Sequence, residues 1–341
     1  MSSKVNVGLI GAGRIGRLHA EHLAFRIPQA NLLAISDIIL EAAQKCAADF
    51  GVPMATQDHR AIMENPDIEA VVISSSTDTH ALMIEEAARA GKHIFCEKPI
   101  AHDLGEIDRA LAAVDKAGVK LQIGFNRRFD PNFRRVRELV AAGEIGEPHI
   151  LRITSRDPAP PPIEYIEVSG GIFLDMTIHD FDMARYLIGS EVEEVYAAAG
   201  VMVDPAIGAA GDVDTAVITL RFKNGVIGTI DNSRRAVYGY DQRVEVFGSG
   251  GMVAVSNNTP DSAVVSDGQG VHGPLPLHFF IERYVDSYVA EMEAFIECVQ
   301  QDKTPPVTGI DGRIPVVMGY AAIKSYEENH PVKLDEISPG L

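Results

Sequence analysis

Val5-Asn-Val-Gly-Leu-Ile-Gly11-Ala-Gly13-Arg14-Ile15-Gly16 runs from a short apolar segment into three glycines at G-x-G-x-x-G spacing, and an amphipathic helical pattern opens at residues 15–24. Strand, glycines and helix in that order are what a dinucleotide pyrophosphate requires. Gly11 allows a tight turn, Gly13 lets the backbone approach the phosphates, and Gly16 lets helix and sheet pack closely, with the helix N-terminus facing the anion. The spacing alone is a weak signal, because a glycine-rich turn can serve packing only. Asp37 strengthens it: this carboxylate stands 21 residues beyond Gly16, after the second strand-like run at 32–36, where it can accept both hydroxyls of an adenosine ribose. A 2'-phosphate would meet like charge there, worth ~3 kcal/mol at ~5 Å and an effective dielectric of ~20. Ile38, Ile39 and Leu40 follow, with no arginine to neutralise a phosphate, so the motif reads as NAD-selective. Arg14 and Ile15, inside the motif, join the expected cofactor contacts.

Outward from this motif, β-branched runs at 5–10, 32–36, 70–74, 93–96 and 120–123 alternate with amphipathic segments such as 84–90 and 104–117. That rhythm predicts βαβ units in a doubly wound parallel sheet of Rossmann type. The run Ser74-Ser75-Ser-Thr77-Asp-Thr79-His80 falls at the carboxyl edge of such a sheet, where ligands bind, so Ser75, Thr77 and His80 are candidate cofactor contacts. An ordinary helix cap at Thr77 or Thr79 would explain the same residues.

Past Asn126 the pattern changes to α+β. A strand is expected at 150–155, a proline-rich loop at 158–162, hairpin strands at 215–222 and 226–230 around Lys223-Asn224-Gly225, two more at 244–247 and 252–255, and late helices at 284–299 and 314–326. We therefore expect an NAD-binding Rossmann domain over 1–123 and an α+β domain with a large open, mostly antiparallel sheet over 124–341.

Composition narrows the classes. The 341 residues are 46% hydrophobic and 23% charged, ordinary for globular domains, and a net charge of −18 opposes nucleic-acid and anionic membrane partners. No apolar run reaches membrane-spanning length, no export signal is read at the start, and the three widely spaced cysteines fit neither a disulfide framework nor a zinc ribbon. A cytoplasmic protein is expected.

Two further segments carry chemistry. Glu97-Lys98-Pro99 follows the fifth strand at the same carboxyl edge, and the proline holds Lys98 extended, able to aim into a cleft; a solvated loop lysine is the plain alternative. In Gly170-Gly-Ile-Phe-Leu-Asp175-Met-Thr-Ile-His179-Asp-Phe-Asp182-Met-Ala-Arg-Tyr186, helical spacing puts Asp175, His179, Asp182 and Tyr186 on one polar seam of a mostly buried helix. A satisfied core network, a metal site and acid-base catalysis compete for that seam. Beside a nicotinamide site the third is favoured: a His held by a carboxylate can take a hydroxyl proton, with Lys98 facing the developing alkoxide. No metal is expected, since hydride transfer to NAD proceeds without one when a charged donor and a base are present.

The motifs GAGRIG (Gly11–Gly16), EKP (Glu97–Pro99), GFNRRFDP (Gly124–Pro131) and GGIFLDMTIHDFD (Gly170–Asp182) together resemble the glucose-fructose oxidoreductase / inositol dehydrogenase (Gfo/Idh/MocA) family over nearly the whole chain. The resemblance implies a homo-oligomer, commonly a tetramer, formed through the open sheet. It implies a triad with His179 as base, Asp175 orienting it and Lys98 bonded to the reacting oxygen. Asn126, Arg127 or Arg128, and Tyr238 or Tyr240 fall where the family places substrate contacts; Arg128 and Tyr238 are taken as the candidates. The expected substrate is a small cyclic polyol, myo-inositol first, with scyllo-inositol or an aldose as the alternative and a non-catalytic NAD-binding regulator as the rival of another class.

Overall fold

The computed structural model describes residues 4–340. In the first half, β1 (Val5–Ile10), α1 (Arg14–Phe25), β2 (Ala30–Ser36), α2 (Leu40–Phe50), β3 (Met54–Thr56), α3 (Arg60–Met63), β4 (Ala70–Ile73), α4 (Thr77–Arg89), β5 (His93–Glu97), α5 (Leu104–Ala117) and β6 (Leu121–Gly124) alternate as the rhythm predicts. The strands form one parallel sheet in the order β3-β2-β1-β4-β5-β6. Ala70, Val71, Val72 and Ile73 are all buried, because helices cover both faces and leave no polar side for alternation. The order reverses between β1 and β4, so the ligand crevice of such a sheet opens at the carboxyl ends of these strands, beside Gly11, Ser74 and Glu97. The short edge strand β3 was not expected from sequence.

The second half adds α6 (Pro131–Ala141), β7 (Pro148–Arg156), α7 (Ile163–Ser169), α8 (Gly171–Asp175), α9 (Thr177–Ile188), β8 (Val192–Gly200), α10 (Pro205–Ala209), β9 (Thr215–Phe222), β10 (Ile227–Ser233), β11 (Asp241–Gly248), β12 (Gly251–Val255), β13 (Val265–Asp267) and β14 (Gly270–His272). It ends with α11 (Phe280–Gln301), α12 (Gly309–Glu328), β15 (Val332–Lys333) and α13 (Leu334–Ile337). A seven-stranded sheet runs β12-β11-β7-β10-β9-β8-β15, antiparallel except where β10 lies parallel to β7. One rank across it, Val244, Ile153, Ile230, Ile218 and Ala197, is buried by period-two alternation.

The compact units do not follow a single cut. One runs to Asn126 and takes up Asp286–Ile314; the other holds Arg127–Val285 and the chain from Pro315. The expected boundary at 123–124 is close to the first crossing but assigns residues 286–314 to the second domain. Met292, Phe295 and Ile296 of α11 complete the apolar core that Val7, Leu9, Ala20, Leu23 and Phe95 begin, and burial there decides the membership. Both later crossings fall near helix irregularities: Tyr284 is non-helical (φ −117, ψ 18) and Pro315 interrupts α12.

Candidate active site

Within the first unit the glycine turn has three different reasons for its glycines. Gly11 has φ +96, and a Cβ there would come within 2.6 Å of the Ser74 and Ser75 backbone. At Gly16 a Cβ would lie 1.9 Å from the Gly11 carbonyl oxygen, so helix and turn touch only without a side chain. Gly13 faces open space, which leaves room for a pyrophosphate at the start of α1. The Ser74 hydroxyl donates to the Gly11 carbonyl at 3.0 Å and ties β4 to the turn.

Asp37 is fixed by two backbone amides: Ala12 N–H donates to one carboxylate oxygen at 2.7 Å and Ile39 N–H to the other at 2.8 Å. Each oxygen keeps acceptor capacity for a ribose hydroxyl. Arg14 is exposed and Ile15 half-buried at the N-terminus of α1. Open space at Gly13 and a fixed carboxylate at Asp37 fit an NAD moiety.

Of the hydroxyl run, Ser75 and Thr79 bond to each other at 2.6 Å, and Thr77 is the first residue of α4, after Ser76 at the cap. His80 is buried, with its ring nitrogens 2.8 Å from the Pro99 carbonyl and 3.0 Å from the Ser75 carbonyl. It braces the EKP segment from below. Lys98 is half-buried, and Glu97 turns to the His19 ring at 2.7 Å. Asn126 is buried, its amide 3.4 Å from the Ser287 hydroxyl.

In the second unit the polar seam is not one helix. α8 ends at Asp175, Met176 intervenes, and α9 starts at Thr177, with His179 N–H reaching back to the Met176 carbonyl at 3.3 Å. The expectation of an unbroken Asp175-to-Tyr186 helix is corrected here. Asp175 accepts from Tyr165 at 2.9 Å and from the buried Arg234 at 3.1 Å, partners the sequence reading missed because they are 10 and 59 residues away. His179 is half-buried on the first turn of α9.

The arginines of the NRRF turn are no surface cluster. Buried Arg127 donates to Asp180 at 2.7 Å and to the Tyr240 hydroxyl at 3.3 Å, while Asn232 donates to the other Asp180 oxygen at 2.8 Å. Arg128 grips Asp182 through Nε and a terminal nitrogen at 2.6 to 3.1 Å and lies over the Tyr186 ring. Asp182 is thus committed to an ion pair. Tyr238 donates to Asp241 at 2.6 Å and lines a cavity of about 400 Å³ with Pro260 and Leu277, whereas Tyr240 is buried.

Three comparisons with known proteins bear on this arrangement. Residues 5–125 match the oxidoreductase family with an NAD-binding Rossmann fold, and residues 133–254 match the GFO/IDH/MocA C-terminal domain. The chain is 54% identical over 333 residues to the myo-inositol 2-dehydrogenase of Thermotoga maritima, covering 98% of this chain and 99% of that one. The chain belongs to the Gfo/Idh/MocA oxidoreductase family.

The inositol 2-dehydrogenase of Rhizobium meliloti is 47% identical, covering 97% and 99% of the two chains. Among solved structures, scyllo-inositol dehydrogenase from Lactobacillus casei, with bound NAD(H) and scyllo-inositol, superposes with a TM-score of 0.91 at 29% identity, over 97% of this chain and 99% of that one. As a Gfo/Idh/MocA oxidoreductase this protein uses NAD. Asp157, which the sequence reading passed over, is a further titratable group near Asp175: burial pushes its carboxyl up to about 6, with the Asp175 charge adding to the shift and Arg234 opposing it.

Proposed function

We propose that this enzyme oxidises myo-inositol to 2-keto-myo-inositol with NAD, using Lys98, Asp175 and His179. The supporting observation is full-length identity of 54% and 47% to relatives named as inositol 2-dehydrogenases, in a chain that carries both EKP and the Asp-x3-His segment. NAD, when bound, accepts a hydride. His179 takes the hydroxyl proton, Asp175 orients the imidazole, and Lys98 donates to the oxygen as charge develops on it. The Tyr165 and Arg234 bonds hold the Asp175 carboxylate still, so its orientation costs nothing during turnover. Asn126, Arg128 and Tyr238 are read as substrate contacts, with the Arg128–Asp182 pair rigid enough to present a guanidinium edge to a hydroxyl. The three buried thiols Cys46, Cys96 and Cys298 suit a reducing cytoplasm, and among the described residues no helix is long and apolar enough to cross a membrane.

A homotetramer is part of the same reading. Met252, Phe247, Ile150 and Ile227 are neighbours by strand register on the outer face of the seven-stranded sheet, and all four are exposed. Such an apolar rank favours burial against another copy. Scyllo-inositol is the second substrate reading, favoured by the likeness to the scyllo-inositol complex.

The test is NADH formation from purified protein with myo-inositol, scyllo-inositol, glucose or galactose, with NAD and with NADP. Turnover on myo-inositol with NAD is expected to lead. Lys98→Ala and His179→Ala should each lower kcat by roughly 10² to 10⁴ with NAD affinity nearly unchanged. Wild-type turnover in either variant would remove that residue from the mechanism, and NAD binding without turnover on any substrate would favour a regulatory protein.

A further inference from the structure

Behind the EKP segment, wholly within the first unit, His19 of α1, Glu97 of β5 and Glu291 of α11 bring their ligating atoms within 4.8 Å of one another. His19 and Glu291 have no exposed surface. The Phe95 and Tyr288 rings meet the His19 ring edge-on, and His22 lies one turn along α1. His19 Nε2 and Glu97 are bonded at 2.7 Å, but neither carboxylate oxygen of Glu291 has a hydrogen-bond partner. Gln122 of β6 donates to the Glu291 carbonyl at 2.7 Å and leaves its own side-chain oxygen buried without a donor. The cluster therefore holds two carboxylates, the orphaned Gln122 oxygen and a His19 Nδ1 likewise buried without a partner, and no lysine or arginine is within its set.

We propose that Glu291 carries a proton at neutral pH, and that Glu291, Glu97 and His19 form one hydrogen-bonded tie between the cofactor helix and the segment bearing Lys98. An ionised carboxylate with no partner in so enclosed a place is strongly disfavoured, and protonation turns Glu291 into the donor the cluster lacks. Burial, and then the Glu97 charge, push the Glu291 carboxyl well above the usual carboxylate range. A cation between the three groups is the competing occupant. The direct His19–Glu97 bond argues for the proton, because a shared metal would separate those two ligands.

The tie also accounts for a glycine. A Cβ at Gly124 would lie 3.0 Å from the Glu97 carboxylate, so the glycine that opens the GFNRRFDP motif leaves that carboxylate its room. His19 lies one turn beyond Gly16 on α1, and Glu97 is the peptide neighbour of Lys98. Glu291 is thus a positioning residue, acting through Glu97; this consequence rests on the catalytic reading of Lys98.

Infrared spectra of the NAD-bound enzyme at neutral pH should contain a carboxylic-acid C=O band that Glu291→Gln removes. Glu291→Leu should lower kcat about tenfold with KM for NAD changed less than about twofold, and Glu291→Gln, which keeps a neutral donor, should recover most of that loss. Circular dichroism on each variant reports folding. Absence of the acid band, its persistence in Glu291→Gln, a Gln variant as slow as the Leu variant, or a stoichiometric divalent metal in the purified protein would each overturn the proposal. The two readings fail separately: full turnover in Lys98→Ala with the acid band intact would remove Lys98 from catalysis and leave the proton on Glu291 supported.

Discussion

Gly13 and Gly16 are three residues apart, yet a methyl group added at each meets opposite surroundings. At Gly16 it collides with the Gly11 carbonyl, a backbone atom that cannot turn aside, so Gly16→Ala should destabilise the fold by roughly 3 kcal/mol. At Gly13 it enters open space, so Gly13→Ala should leave the thermal midpoint without NAD within a few degrees while weakening NAD binding at least about tenfold. Calorimetry and NAD titration on both variants separate packing from cofactor approach; equal loss of stability in the two would remove that distinction. The motif was legible because its spacing carries the bar at Gly16, whose Cβ would meet the Gly11 carbonyl, although the bar at Gly11 comes from Ser74 and Ser75 after β4. Asp175 shows the opposite case: its carboxylate is set by Tyr165 and Arg234, and no spacing in the chain announces either.

At the scale of elements, α1 and α9 bury polar groups for different reasons. His22 on α1 is held down at about 4, against an ordinary 6.5, by burial and by the neighbouring His19 and Arg26, so the folded state keeps it neutral. Above pH 6.5 the histidine is neutral folded or unfolded and costs nothing, but as pH falls from 6.5 toward 4 only the unfolded state takes up the proton, so the folded state loses stability progressively across that window. His22→Leu should flatten the pH dependence of the denaturation midpoint in that window; an unchanged slope would mean another group titrates. On α9, Asp180 is the anionic partner of buried Arg127, and Asp180→Ala should cost about 3 to 5 kcal/mol in urea denaturation because a guanidinium is left buried without its carboxylate. A loss below about 1 kcal/mol would mean that water reaches Arg127. That α9 is mostly buried was readable, and Ile178, Phe181, Ala184 and Leu187 are buried along it. The break at Met176 was not, since nothing in the residues themselves forbids a continuous helix there.

For the molecule as a whole, the proposed tetramer sets the apolar rank on the outer sheet face against the net charge of −18. Burying Phe247 and Ile150 between copies favours association, while like-charged protomers repel at low ionic strength. Sedimentation velocity should therefore show tighter association as salt rises, and Phe247→Lys with Ile150→Lys should weaken it at least about tenfold. Unaltered sedimentation of the double variant would place the interface elsewhere. The chain's division into units belongs to this scale too, because α11 joins the first unit through Met292, Phe295 and Ile296, far along the chain from that unit's last strand, which ends at Gly124.

By itself the sequence determined that β1, β2, β4, β5 and β6 alternate with helices in a parallel sheet, the glycine turn with Asp37 and the alternation that builds the second sheet. Each of these follows from neighbours within about thirty residues, through periodicity, turn chemistry and the steric demands of glycine. Only the tertiary structure decided that Asp182 is spoken for by Arg128, that Arg127 is a core residue, and that His19, Glu97 and Glu291 share one enclosed space. A charged side chain is written identically whether it meets solvent, an ion partner or another acid, and burial is a property of the whole packed chain.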